Sequence, residues 1–161
     1  MKLAIVGTRS FTNFSQFVVK LKYRYPEVFS DKVTEIVSGG ADGIDSLAER
    51  LAKEINIPIK IFPPDYSKFG KIAPLIRNQE IVDYADACIA IPSNGSKGTN
   101  DTIKKFEKAQ KPVKVISLSD DSFCYDWYKS MGCEHPEEEE KKRKEGPSSF
   151  CIIVLPFCHS P

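Results

Sequence analysis

The feature that most restricts the fold is a regular alternation of two kinds of segment along residues 1–118. One kind is short, apolar and rich in β-branched residues: Leu3 to Val6, Val33 to Val37, Ile57 to Phe62, Ala87 to Ile91 and Val113 to Leu118. Such runs read as strands buried in a sheet. The other kind has helical spacing. Phe14, Phe17, Val18, Leu21 and Tyr25 share one face, and Ile44, Leu47, Ala48, Leu51, Ala52 and Ile55 form a cleaner stripe. Leu75, Ile76, Ile81, Val82 and Tyr84 suggest a third helix entered at Pro74, and Ile103 and Phe106 a short fourth. Strands and helices in strict turn predict an α/β fold: a doubly wound, mainly parallel five-stranded sheet with helices on both faces. Ligands of such sheets sit outside the carboxyl ends of the strands.

The remaining 43 residues differ in character. Residues 119–161 open on Ser119-Asp120-Asp121-Ser122, continue through Cys124, Trp127 and Tyr128 to a charge block at Glu137–Glu145, and end in an apolar stretch broken by prolines. This part is expected to be an appendage, partly disordered through the charge block, where Glu137–Glu140 and Lys141–Lys144 pair four apart. The formal net charge is +1, but residues 1–118 carry 18 Lys/Arg against 13 Asp/Glu, and residues 119–161 carry 5 against 9. A mildly positive domain suits a small anionic ligand, whereas duplex binding calls for a concentrated basic stripe. Nucleic acid is therefore the less expected partner.

Only one of the five cysteines, Cys88, lies before residue 119, inside an apolar run, as in reduced intracellular proteins. The start, Met1-Lys2-Leu3-Ala4, has no secretory apolar stretch, and no run approaches the roughly 20 apolar residues of a membrane span. A cytoplasmic protein is expected. His135, His159, Cys124, Cys133, Cys151 and Cys158 lack the paired spacing of a zinc knuckle, so no metal site is assigned.

Three glycine-bearing turns fall where a strand hands over to a helix. They are Gly7-Thr8-Arg9-Ser10, Ser38-Gly39-Gly40-Ala41-Asp42-Gly43-Ile44-Asp45, and Pro92-Ser93-Asn94-Gly95-Ser96-Lys97-Gly98-Thr99. Each could be plain turn chemistry. Three at one edge of a sheet point instead to an anion held by helix-start N–H groups and hydroxyls, with Arg9, Arg77 or Lys97 supplying charge. None matches GxGxxG or the GxxxxGK[ST] phosphate loop. The candidate ligand-binding residues are Gly7, Thr8, Arg9, Ser10, Ser38, Gly39, Gly40, Asp45, Asp65, Tyr66, Arg77, Gly98 and Thr99. Asp65 and Tyr66 enter as residues placed to hydrogen-bond and stack on a base, Asp45 as a ribose or loop-bracing carboxylate, and Thr99 as a helix cap.

Taken together, Ala4-Ile5-Val6-Gly7-Thr8-Arg9-Ser10-Phe11, Ile36-Val37-Ser38-Gly39-Gly40-Ala41-Asp42-Gly43-Ile44-Asp45, Ile76-Arg77-Asn78-Gln79-Glu80, Ala85-Asp86-Ala87 and Gly98-Thr99 resemble the SLOG superfamily, most nearly its stand-alone branch related to YpsA. The Ser-Gly-Gly-Ala string is also similar to DNA-processing protein A. The resemblance covers about residues 1–118 and implies a Rossmann-like domain that binds a nucleotide or an ADP-ribose-like derivative, as a sensor, carrier or sequestering module. It also implies homo-oligomers in many relatives. No cofactor is required, although a diphosphate ligand admits Mg²⁺.

Two alternatives come with the resemblance. Lonely Guy-type phosphoribohydrolases cleave nucleoside monophosphates with an Arg-Lys pair and a PGGxGTxxE motif. Arg77 matches their arginine and Gly98-Thr99 their Gly-Thr, but Asn78 stands at the lysine and Thr102 at the catalytic glutamate. Asp101 lies one residue early, roughly 100° around the helix. If the chain is an N-glycosidase, Arg77 and Asp101 are its candidate catalytic residues. Threonine cannot stabilise a developing ribosyl cation or move a proton as a carboxylate does, a loss on the order of 10²–10⁴ in rate. The second alternative is binding of single-stranded DNA.

Overall fold

The computed structural model describes residues 1–117. The expectations for residues 119–161, including the appendage and its cysteines and histidines, lie outside the described residues.

Five parallel strands form one sheet in the order β3-β2-β1-β4-β5. They are β1 (Lys2–Gly7), β2 (Glu35–Ser38), β3 (Ile59–Ile61), β4 (Ala87–Ile91) and β5 (Val113–Val115). β1 is central because Leu3-Ala4-Ile5-Val6 is apolar on both faces. Successive side chains leave a strand on opposite sides. Leu3 and Ile5 therefore join Phe17, Leu21, Leu47 and Leu51 in one layer, while Ala4 and Val6 join Ile81, Val82 and Phe106 in the other. Phe17 and Phe106 are fully buried, one per layer, each contributing about 1.5–3 kcal/mol of burial.

The helices are α1 (Phe14–Arg24), α2 (Ile44–Glu54), the single turn α3 (Tyr66–Phe69), α4 (Ala73–Tyr84) and α5 (Lys97–Lys108), with 3-10 turns at Pro26–Phe29 and Gly70–Ile72. α1 begins where the Asn13 side chain accepts the Gln16 N–H at 3.1 Å. α1 and α2 cover one face and α4 and α5 the other. The doubly wound parallel fold is thus as expected.

Three local expectations are corrected. The strands read as buried at 57–62 and 113–118 are sheet edges of three residues each, half-exposed or exposed, because each pairs on one side only. α5 is twelve residues long rather than short. On α4 the buried stripe is Ala73, Arg77, Asn78, Ile81 and Val82, while Leu75 is 47% exposed. One turn before Ile81 and Val82 the inward positions belong to Arg77 and Asn78. Strict helical phase places them there, and choosing the face by apolarity alone missed it.

Candidate functional site

The strand order reverses between β1 and β4. The chain leaves β1 toward α1 on one face and leaves β4 toward α5 on the other, which opens a crevice at their carboxyl ends. A cleft of about 390 Å³ lies there. Its walls are the β1–α1 turn (Gly7 to Ser10), the β4–α5 turn with the start of α5 (Ser93 to Thr99, and Thr102), Ala41 and Asp45 beside β2, and Pro74, Arg77 and Asn78 of α4.

The β1–α1 turn is bolted in place from both sides. The Thr8 N–H donates to the Ile91 carbonyl at 2.9 Å, and the Thr8 carbonyl accepts the first N–H of α2, from Ile44, at 3.1 Å. Side chains then link the two turns. The Ser93 hydroxyl donates to Thr8 Oγ1 at 2.9 Å, with Ser96 Oγ at 3.0 Å from Ser93 and Ser10 Oγ at 3.0 Å from Thr8. A hydroxyl owns one proton. Since Ser93 spends its proton on Thr8, Ser96 must donate to Ser93, while between Thr8 and Ser10 either hydroxyl can be the donor. The row ends on Ser10, which is exposed.

α5 starts without a side-chain cap, because the Ser96 hydroxyl is engaged with Ser93 and with the Ser93 N–H at 3.1 Å. The Lys97 and Asn100 N–H groups donate to the Gly95 and Ser96 carbonyls, so the first turn offers the cleft the Gly98 and Thr99 N–H groups with the positive end of the helix dipole. Around Gly98 an added methyl would meet nothing within 4 Å, so a ligand has room to approach the backbone. Arg9, Lys97 and Arg77 line the same cleft, against a single carboxylate among the described residues, Asp45.

The β2–α2 turn behaves otherwise. The Asp45 carboxylate folds back onto its own loop, accepting the Ala41 N–H at 3.4 Å, with the Gly7 and Gly39 N–H groups also directed at it. Burial pushes its carboxyl up to about 6, opposed by Arg77 and those amides. Arg77 Nη1 lies 3.8 Å from Asp45 Oδ2 and donates to the Gly39 carbonyl. Burial lowers the Arg77 pKa. A side chain at Gly39 would displace the Arg77 guanidinium and lie 2.7 Å from Asp45 Oδ2, so glycine there lets the pair pack against the loop.

The structure therefore brings Gly7, Thr8, Arg9, Ser10, Asp45, Arg77, Gly98 and Thr99 to one cleft. It sets the other candidates elsewhere. Ser38, Gly39 and Gly40 are loop braces: the Ser38 hydroxyl is buried, accepts the Gly40 N–H at 3.1 Å and lies 3.1 Å from Glu49 Oε1. The amides expected to cradle an anion there already serve internal partners, Gly39 and Ala41 the Asp45 carboxylate and Gly40 the Ser38 hydroxyl. Asp65 caps α3 through the Lys68 N–H at 3.0 Å, and the hydrogen bond from the Ser67 hydroxyl, then that from Lys68, lowers its pKa. Tyr66 follows it, 56% exposed and outside the cleft lining. Asp101 is paired with Lys105 at 2.8 Å and accepts from Asn78 Nδ2 at 3.0 Å, so it binds α4 to α5 rather than lining the cleft. Thr102, at the glutamate position, lines the cleft and donates to the Gly98 carbonyl at 3.1 Å. The structure adds Asn78, Ser93, Ser96 and Thr102 to the candidate residues, and places Lys97, expected to supply charge, on the cleft wall. Ser93 and Ser96 were legible only as a Ser-x-x-Ser turn.

Among the described residues, no group of three or more His, Cys, Asp or Glu side chains is placed to hold a metal ion, and no helix is long and apolar enough to cross a membrane.

Sheet order and switch-point cleft together define a Rossmann-like α/β domain. Within that class, the model of the DNA recombination-mediator protein A family matches residues 1–61, the stretch from β1 to β3, in keeping with the SLOG relationship read from the motifs. Among solved structures, DNA processing protein A from Streptococcus pneumoniae superposes with a TM-score of 0.58 at 18% identity over 83% of this chain. The chain spans 57% of the length of that protein. DNA processing protein A from Helicobacter pylori, whose structure is described for its single-stranded DNA binding mode, gives 0.55 at 19% identity, covering 90% of this chain and 80% of that one. The protein TM1055 gives 0.52 at 20% identity, covering 70% and 71%. No curated protein matches the chain.

Proposed function

We propose that the chain binds a nucleotide or nucleotide-derived anion in the β1/β4 crevice, its phosphate at the start of α5. The observation that carries this reading is the uncapped first turn of α5, opening onto a cleft that Arg9, Lys97 and Arg77 also line. A phosphate takes N–H donors and positive charge together, and the exposed Ser10 hydroxyl on the cleft wall is a further group suited to a ribose or phosphate oxygen. The volume falls within the roughly 300–1,000 Å³ of small-ligand sites.

Binding is favoured over glycosidic cleavage. Asp101 is turned into the α4–α5 contact, and the cleft carboxylate Asp45 is held by backbone amides and Arg77. Calorimetry with ADP-ribose, AMP and adenosine tests this: the phosphorylated ligands are expected to bind and adenosine to bind far more weakly. Equal affinity for adenosine would remove the phosphate site. Release of free base from AMP would restore the glycosidase reading.

The fold shared with the Helicobacter pylori protein favours a second reading, single-stranded DNA. Nucleic acid, set low from charge alone, therefore enters the test directly. A strand-binding surface would show oligonucleotide affinity falling steeply with salt, about 0.7 in log K per log salt for each phosphate engaged.

A further inference from the structure

Arg77 is 8% exposed, and its Nε has no hydrogen-bond partner although it is buried. Its Nη1 is shared between the Gly39 carbonyl and Asp45, and the 3.8 Å approach to Asp45 is far longer than the 2.7–2.9 Å of a full charge-assisted bond. The guanidinium at the cleft wall is thus held but not saturated. A buried N–H without an acceptor is costly, so the fold leaves Arg77 incompletely satisfied, and the residue lines the cleft that a ligand anion would enter.

Resting on the nucleotide reading of the cleft, we propose that Asp45 is an internal competitor for Arg77, so that the cleft takes up anions more tightly once the Asp45 carboxylate has accepted a proton. The change is a protonation alone: a solvent proton adds to the carboxylate, the ion pair is lost, and the guanidinium keeps its charge for the ligand anion.

The surroundings make the pair responsive in an accessible range. Asp45 is desolvated, and its carboxyl stands at about 6. Arg77 faces it from α4, while Arg9 from the β1–α1 turn repels Arg77 and Tyr66 of α3 acts on Arg77 in the opposite sense. On α2, Glu49 reaches the same loop through Ser38. From β4 comes Cys88, whose thiol is kept neutral by burial. Removing the negative charge leaves an all-cationic cleft lining of Arg9, Arg77 and Lys97.

The test uses ADP-ribose, whose diphosphate keeps its charge across the range, because a phosphate monoester itself titrates near pH ~6. In the whole chain, affinity is expected to be about tenfold tighter at pH 5 than at pH 7, since binding that requires the protonated carboxyl loses a factor of ten per pH unit above its pKa. Asp45→Asn is expected to bind tightly at both values, which also separates Asp45 from His135 and His159. The Arg77 Nε–H resonance, followed by nitrogen NMR in the ligand-free wild type, is expected to shift with a midpoint near pH 6 and needs no variant to fold. An Arg77 signal that ignores pH overturns the proposal. So does a pH slope that survives in Asp45→Asn. A titrating Arg77 with ADP-ribose bound equally at pH 5 and pH 7 overturns the competition and leaves the cleft as the binding site. A titrating Arg77 with no binding of ADP-ribose at any pH overturns the nucleotide reading and this proposal together.

Discussion

Replacing Gly43 by alanine is the sharpest probe of how the cleft is built. Gly43 precedes α2 with φ +77° and ψ −126°, away from the left-handed helical well that other residues occasionally visit. Holding alanine there costs about 1–3 kcal/mol. The added methyl would also strike the Thr8 carbonyl and lie 2.6 Å from Arg9 Cα. Both are backbone atoms of a turn fixed to β4 and α2 by the two Thr8 hydrogen bonds. The turn cannot yield without loosening one of those bonds, so overpacking adds about 1–3 kcal/mol. Gly95 provides the control: φ is +85°, but a methyl there meets nothing within 4 Å. Gly95→Ala is expected to carry the backbone cost alone. Urea unfolding should therefore place Gly43→Ala about 1–3 kcal/mol below Gly95→Ala at unchanged m, or roughly 1 M in midpoint. Midpoints that coincide would show that the β1–α1 turn is not clamped as described.

Arg77→Ala is expected to weaken ADP-ribose binding by about 1.5–3 kcal/mol, roughly tenfold or more in Kd by calorimetry; unchanged affinity would remove Arg77 from the site. The Asp45 carboxyl, ordinarily at 3.8 and at about 6 in the fold, holds more protons in the native than in the unfolded state between those values. Its contribution is therefore present below pH ~4 and lost as pH rises through ~6, so wild type should lose up to about 3 kcal/mol relative to Asp45→Asn across that window, read from urea midpoints. Parallel profiles would contradict the burial assigned to Asp45. Asp101→Asn should leave ADP-ribose affinity unchanged and cost at most about 0.5 kcal/mol, since its pair with Lys105 is partly exposed and the asparagine oxygen can still accept from Asn78. A large loss of binding would place Asp101 in the cleft after all.

Local pattern was enough for the sheet, its parallel sense and the covering helices, because continuous apolar runs and 3.6-residue stripes report burial directly. It was enough, too, to bring Gly7 to Ser10 and Gly98-Thr99 together, since carboxyl ends of parallel strands share one edge. Pattern reached less far where a residue's role depends on what stands opposite. Edge strands look like central ones until pairing is known, and Arg77 and Asn78 look like surface residues until the phase of α4 turns them inward.

What the amino-acid order determined by itself is the layered α/β scaffold and the rim on which a ligand can sit. Only the tertiary structure decided which glycine turn is open. The Ser38–Gly40 turn reads as an anion cradle like the other two, yet Asp45 and Arg77 fill it, while the start of α5 stands uncapped. The physical reason is that every buried amide and charge seeks a partner, and whether that partner is internal or a guest depends on side chains distant in sequence.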